Sequence, residues 1–174
     1  MIILGMGVIV RRANAADIEA LVDTQQEGAV ASLANIFPQD QYPFPRSAVR
    51  KRWTEELDGP DTHVYISVDE TGTVIGFAAA RDNELLHFGT ALRTWGTGAA
   101  QQLHAALLDE LSRTATAGSD HLRLRVFEEN TRAQRFYEKL GWTETTQRTR
   151  SSFAPYAVLV EYHRPLPTLA DRAD

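Results

Sequence analysis

Two periodicities divide this chain. Strict alternation over His121-Leu122-Arg123-Leu124-Arg125-Val126 predicts a strand with one apolar face. Val8 to Arg12 reads as the first strand. His63–Val68 and Val74–Ala80 are strand-forming runs, and Asp69-Glu70-Thr71-Gly72 between them predicts a hairpin. Arg81-Asp82-Asn83 is a second turn and Glu84 to Phe88 the next strand, so three sequential strands make an antiparallel meander. Helical spacing takes over elsewhere. Ile18, Leu21 and Val22 predict a helix opened by Asn14 or Ala16-Asp17. Gln26 to Asp40 is less regular, and Gln39 to Pro45 cannot be helix because Pro43 and Pro45 restrict their predecessors. Ser47 can cap a helix through Trp53 and Leu57 that Gly59-Pro60 stops. Ala100, Leu103, Leu107 and Leu111 form an apolar stripe flanked by Ala99 and Ala106, with Gly118 suited to its end. Ala133, Phe136 and Leu140 share one face of a last helix ended by Gly141, while Asn130 and Tyr137 lie two turns apart along another. Thr143–Arg150 and Tyr156–His163 predict a final hairpin around Ser151 to Pro155, with the chain fraying from Pro165. The strand at His121 must run parallel to the strand at Glu84, because a helix connects them.

With 174 residues, 43% hydrophobic and 24% charged, the chain suits one soluble globular domain, residues 1–166, followed by a frayed tail at 167–174. There is no cysteine, which excludes disulfides, thiolate metal sites and a cysteine nucleophile. A net charge of −5 argues against a nucleic-acid surface and suits a cationic amine as partner. No apolar run is long enough to cross a membrane. Met1 to Val10 is apolar but short and reads as strand rather than signal peptide, so the expectation is a cytoplasmic protein.

The chemistry centres on Arg93-Thr94-Trp95-Gly96-Thr97-Gly98, where a strand runs into a glycine turn that opens a helix. Glycine lets a ligand approach the main chain, and the first helical turn offers unpaired N–H groups at the positive end of a dipole. Such a turn suits a phosphate or pyrophosphate. A P-loop is excluded, because Gly98 is followed by Ala99 and Ala100 instead of Lys-Ser/Thr. A dinucleotide fold is excluded by Gln101 in place of a third glycine and by the absence of an acidic residue at the end of the next strand.

A second stretch, Asn130 to Trp142, completes the pattern. Arg93 to Gly98 resembles the pyrophosphate loop (Gln/Arg)-x-x-Gly-x-(Gly/Ala) of the GNAT superfamily of N-acetyltransferases. Asn130, Ala133, Phe136, Tyr137 and Gly141-Trp142 match that family's Asn-x-x-Ala-x-x-Phe-Tyr-x-x-x-Gly-Phe, with Trp142 replacing the final Phe. The resemblance is clear from Asp82 to Trp142 and looser from Val8 to Pro165. It implies an α+β fold of three layers, α/β/α. A mixed, mostly antiparallel sheet of about seven strands would form the middle layer, splayed between its two parallel central strands. It also implies acetyl-CoA as donor, no metal, and a primary amine of a small molecule or peptide as acceptor. Homodimerisation is left open; neither nucleic acid nor membrane is expected as a partner.

Transfer from a thioester to an amine requires a held and polarised thioester, an acceptor that loses a proton and a thiolate that gains one. By the resemblance, Arg93, Thr94, Trp95, Gly96, Thr97, Gly98 and Ala99 hold the pyrophosphate. The strand edge at Phe88, Gly89 and Thr90 meets the pantetheine arm, and an N–H of Phe88 or Gly89 polarises the carbonyl. The family's usual Val-x-Pro lead-in is absent here. Asn130 hydrogen-bonds the arm, caps its helix, or does both, and Ala133 and Phe136 complete the cofactor motif. Tyr137 is the expected general acid. For the base, Glu84 ranks before His87 and His87 before Asp82. Tyr42, Phe44 and Trp53 are candidates for the acceptor pocket wall, against a simpler role of packing that cover onto the sheet. Without cysteine, direct attack in a ternary complex is expected over an acyl-enzyme. The competing readings are a catalytically silent CoA-binding or regulatory module, and a plain adenine-nucleotide binder.

Overall fold

The computed structural model describes residues 2–3, 8–114 and 119–166; the expected helix end at Gly118 and the tail at 167–174 lie outside the described residues. The strands are β1 (Ile2–Ile3), β2 (Ile9–Arg12), β3 (Thr62–Val68), β4 (Val74–Arg81), β5 (Glu84–Thr90), β6 (His121–Phe127), β7 (Thr143–Arg150) and β8 (Val158–Pro165). The helices are α1 (Ile18–Ser32), α2 (Arg46–Asp58), α3 (Ala99–Thr114) and α4 (Thr131–Lys139). One open sheet runs in the order β1-β2-β3-β4-β5-β6-β8-β7, with β1 only a two-residue bridge at its edge. Every neighbouring pair is antiparallel except β5 with β6.

Alternation along the central strands feeds two cores. On one face Ala78, Ala80, Leu85, Leu122, Leu124 and Val126 pack against Leu103, Leu107 and Leu111 of α3 and Tyr137 of α4. On the other, Val64, Ile66, Phe77 and Ala79 pack against Ile18, Leu21 and Val22 of α1 and Val49 and Trp53 of α2. The three expected layers are therefore present, with α1–α2 on one side and α3–α4 on the other. No helix among the described residues is long and apolar enough to cross a membrane.

Local chemistry sets the element ends. Asn14 accepts from the Ala16 amide at 2.9 Å while the Asp17 carboxylate accepts from the Asn14 amide at 2.9 Å, reciprocal caps that start the first helix. That helix persists to Ser32, further than the irregular stretch from Gln26 suggests. Ser47 does not cap α2: the helix begins at Arg46 after Pro45, with no side-chain cap. Proline's fixed φ and missing N–H suit it to a helix start. At the end of α4, the Gly141 amide bonds the Glu138 carbonyl and the Trp142 amide the Tyr137 carbonyl, the paired bonds of a Schellman stop. In the last hairpin Tyr156 has φ 61° and stays in the loop, so β8 starts at Val158. It also runs on through Pro165, which pairs with His121, where fraying was expected.

The decisive irregularity is central. β5 and β6 pair only at Glu84–Arg123 and Leu85–Leu124, then separate. The closed end is pinned by Asn83, whose side chain donates to the His121 carbonyl at 2.9 Å and whose carbonyl accepts from Arg123 at 2.9 Å. Beyond it a wedge opens toward Thr90 and Phe127. The α1–α2 connection reaches the far rim, where the Phe37 and Phe127 rings meet edge-on at 5.2 Å. β5 also carries a bulge: Ala79 pairs with His87 and Ala80 with Leu85. The extra residue puts Leu86 and His87 together on the α1–α2 side, and Phe88 on the other.

Candidate active site

At the mouth of the wedge lies the glycine loop. Gly96 and Gly98 adopt φ of 81° and 92°, and a Cβ on either would project into open space. Among the described residues, the amides of Gly96, Gly98, Ala100 and Gln101 find no backbone acceptor. These are the orphan donors expected where a helix begins, and they fit an anionic group. The loop side chains brace the loop itself. Thr94 donates to the Ala91 carbonyl at 2.8 Å and Thr97 to the Thr94 carbonyl at 2.7 Å. Trp95 Nε1 donates to the Thr90 carbonyl at 3.1 Å, and the Arg132 guanidinium lies over its ring, 3.1 Å from the centroid. Arg93 is exposed and turns toward the β3–β4 hairpin, 3.6 Å from the Asp69 carboxylate. Ala99 is buried under the loop. Gly89 is also required: a Cβ there would come within 2.5 Å of the Phe77 ring, which occupies the space beside β5.

The α3–α4 wall of the wedge is aromatic. Phe88 stacks on Phe136 at 5.7 Å and meets Tyr137 edge-on at 6.2 Å. Ala133 and Phe136 are partly buried against this core, and Tyr137 is 7% exposed. Among the described residues the Tyr137 hydroxyl has no hydrogen-bond partner. Burial raises its pKa, so the phenol holds its proton firmly. Asn130 accepts from the Ala133 amide at 3.2 Å, which makes it the N-cap of α4. Behind Tyr137 lies a residue absent from the sequence reading. His104 of α3 is 2% exposed and accepts a 2.9 Å hydrogen bond at Nε2 from Trp142 Nε1. Burial, with a smaller push from Arg164, lowers its pKa to about 4, so it is neutral and braces the aromatic wall. Its place in the Ala100–Leu111 helix, in register with the apolar stripe, was the available signal.

The α2 wall is charged. Glu84, ranked first for the base, is buried and fully engaged: Arg125 reaches it at 2.8 Å and Arg123 at 2.8 Å. It locks β5 to β6 at the closed end. His87 Nε2 lies 2.8 Å from Glu56 Oε1 on α2, and the Trp53 ring meets His87 edge-on at 4.9 Å. Glu56 was not foreseen either, since only the fold brings residues 56 and 87 together. Asp82 is exposed in the β4–β5 turn with φ 51°, at the closed end. Trp53, a candidate for the pocket wall weighed against packing, is completely buried in the core with Nε1 bonded to Gln25 at 2.6 Å. Phe44 packs partly buried beside it and Tyr42 is half-buried in the preceding loop.

A parallel pair that opens after two residues, a glycine turn with unpaired amides at its mouth and a buried tyrosine on its wall meet in one cleft. Residues 28–142 match the model of the acetyltransferase (GNAT) family, and the chain belongs to that family. Solved structures agree on the fold. A GCN5-related N-acetyltransferase from Rhodopseudomonas palustris superposes with TM-score 0.76 at 16% identity, covering 95% of this chain and 99% of its own. The ribosomal-protein-S18-alanine N-acetyltransferase of Escherichia coli gives 0.68 at 17%, covering 91% and 94%. PaiA N-acetyltransferase from Thermoplasma acidophilum, solved with coenzyme A, gives 0.66 at 17%, covering 92% and 99%. No curated protein matches the chain in sequence comparison. Acetyl transfer and CoA binding follow at the level of the family.

Proposed function

We propose that this chain is an N-acetyltransferase that moves an acetyl group from acetyl-CoA to a primary amine by direct attack, with donor and acceptor bound together. The observation that carries this is the wedge: β5 and β6 pair at two positions only, leaving strand edge exposed beside the glycine loop. Acetyl-CoA supplies the acetyl group as an activated thioester. The amides of Gly96, Gly98 and Ala100, with the surrounding residues Arg93 to Ala99, receive its pyrophosphate. The edge at Phe88, Gly89 and Thr90 and the side chain of Asn130 take the amide-rich arm, and an N–H at Phe88 or Gly89 polarises the carbonyl.

The proton inventory closes on two side chains. His87 accepts the proton that the acceptor nitrogen must lose. Its Nε2 shares a 2.8 Å hydrogen bond with Glu56, which orients the ring and stabilises the imidazolium that forms. Tyr137 gives its hydroxyl proton to the departing sulfur as the new C–N bond replaces C–S. His87 takes precedence over Glu84 because two guanidiniums already occupy both oxygens of that carboxylate at the closed end of the wedge. The same engagement of Glu84 is what favours the alternative, a catalytically silent CoA-binding module.

The test is release of free CoA against a panel of amines, with His87→Asn beside the parent. The parent is expected to release CoA in an amine-dependent manner, and the variant's kcat/KM to fall by about 10². Acetyl-CoA should raise the melting temperature far more than ATP or NAD. Stabilisation by acetyl-CoA without release by any amine establishes the silent module instead. An unchanged His87→Asn returns the base to Glu84 or Asp82.

A further inference from the structure

A cavity of about 380 Å³ lies between the C-terminal half of α2 and the ends of β3 and β4, on the α1–α2 side of the sheet. Arg52, Glu56, Asp61, Thr62 and Arg81 are among its walls. Its volume suits one small molecule. Some of its charged groups are settled within the protein: Arg81 donates to Thr62 Oγ1 at 2.8 and 3.0 Å, and Glu55 pairs with Lys51. Two atoms are not. Arg52 Nε and Glu56 Oε2 are both shielded from solvent, and neither has a hydrogen-bond partner.

These two atoms are of opposite kind and lie one helical turn apart. Residues four apart on a helix stand about 5–6 Å from each other at Cβ. A shielded charged group without a hydrogen bond is costly, so each atom calls for a partner. A simple cation would satisfy Glu56 and face Arg52 and Arg81. A simple anion would satisfy Arg52 and face Glu56 and Asp61. Only a ligand with both charges close together answers both. Glu56 also ties this cavity to the chemistry, because its other oxygen is the one 2.8 Å from His87. Phe153, from the β7–β8 loop, places its ring 5.7 Å from the Arg52 guanidinium.

We propose that the acceptor is a free amino acid, its carboxylate held by Arg52 and its ammonium by Glu56. This rests on the acetyl-transfer reading above and names the substrate class of that site. An ammonium on Glu56 Oε2 sits next to the Glu56–His87 pair that takes its proton. The nitrogen lone pair so released is the nucleophile.

Binding tests this separately from turnover. Each of the standard L-amino acids and its carboxamide is titrated calorimetrically into the protein saturated with CoA. At least one acid is expected to bind about tenfold or more tighter than its amide, the scale of a charge-assisted, two-pronged contact. Arg52→Gln should erase that preference, and Arg52→Lys, which keeps the charge but loses the fork, should keep part of it. CoA affinity, unchanged in both, shows that they fold. Equal binding of acids and amides, no binding of any acid, or an intact preference in Arg52→Gln overturns the proposal. Acetyl transfer to amines lacking a carboxylate, with no preference for amino acids, overturns it while leaving N-acetyltransfer standing. An Arg52-dependent amino-acid preference without CoA release supports the pocket and removes the acetyl-transfer reading.

Discussion

The two walls of the wedge make an instructive pair. On the α3–α4 side, Phe88, Phe136, Tyr137, His104 and Trp142 form a continuous aromatic surface with hardly a charge. On the α2 side, Glu84, Arg123, Arg125, Glu56, His87 and Arg52 make an ionic surface. The aromatic wall takes Phe136, Tyr137 and Trp142 from one contiguous motif and adds Phe88 of β5 and His104 of α3. The ionic wall is assembled from α2, β5 and β6, and exists only after the fold has joined them.

The sharpest way to break this contrast is Tyr137→Phe. The hydroxyl has no partner among the described residues, so its removal sacrifices no internal hydrogen bond. Turnover should fall about 10²- to 10⁴-fold while CoA affinity and melting temperature hold steady, as thiol release and a binding titration would show. Unchanged turnover makes Tyr137 a packing residue like its aromatic neighbours.

His104 tests whether that wall is truly uncharged. Its native pKa is pushed down to about 4, against 6.5 for the free side chain. Between these values the unfolded chain binds a proton that the native state refuses. Stability is therefore whole above about pH 6.5 and is lost as pH falls toward 4, by about 3 kcal/mol at most. His104→Gln keeps an acceptor for Trp142 and cannot titrate. Urea unfolding at pH 7 and pH 4.5 should show a smaller loss for the variant than for the parent; equal losses would mean that His104 is not held neutral.

Gly96→Asp probes the loop. A carboxylate and a side chain at a φ of 81° should weaken acetyl-CoA binding by about tenfold or more. Normal affinity in a folded variant reduces the loop to a turn. Smallest of all should be Glu84→Gln. It loosens two ion pairs whose arginines are nearly half exposed, worth about 1–2 kcal/mol of stability, with turnover within about threefold of the parent. A 10²-fold loss of turnover would restore Glu84 as the base.

Legibility in the sequence followed the range of the interactions. The order of strands, the parallel step at β6 and the aromatic motif were readable because periodicity and spacing are local properties. The Ser47 cap was misplaced because Pro45 already provides a fixed φ at that helix start. Tyr156 leaves the strand through a positive φ that no periodicity signals. Glu84 stands first among the candidate bases in the sequence because its partners, Arg123 and Arg125, are some forty residues away and become neighbours only through a parallel pairing. Glu56 and Arg52 carry no local signal, because only the fold brings β5 and the β7–β8 loop against them.

The two-position pairing of β5 with β6 has a mechanical side. The sheet behaves as two plates, β1 to β5 and β6 to β8, hinged at Asn83 to Leu85 and otherwise joined through helices. Amide groups facing the gap lack the rungs that the rest of the ladder has. A peptide-like arm seated in the gap would supply those rungs and make the plates one body. Occupancy is then visible without any chemistry: hydrogen exchange along residues 86–90 slows, and two separately opening units merge into one.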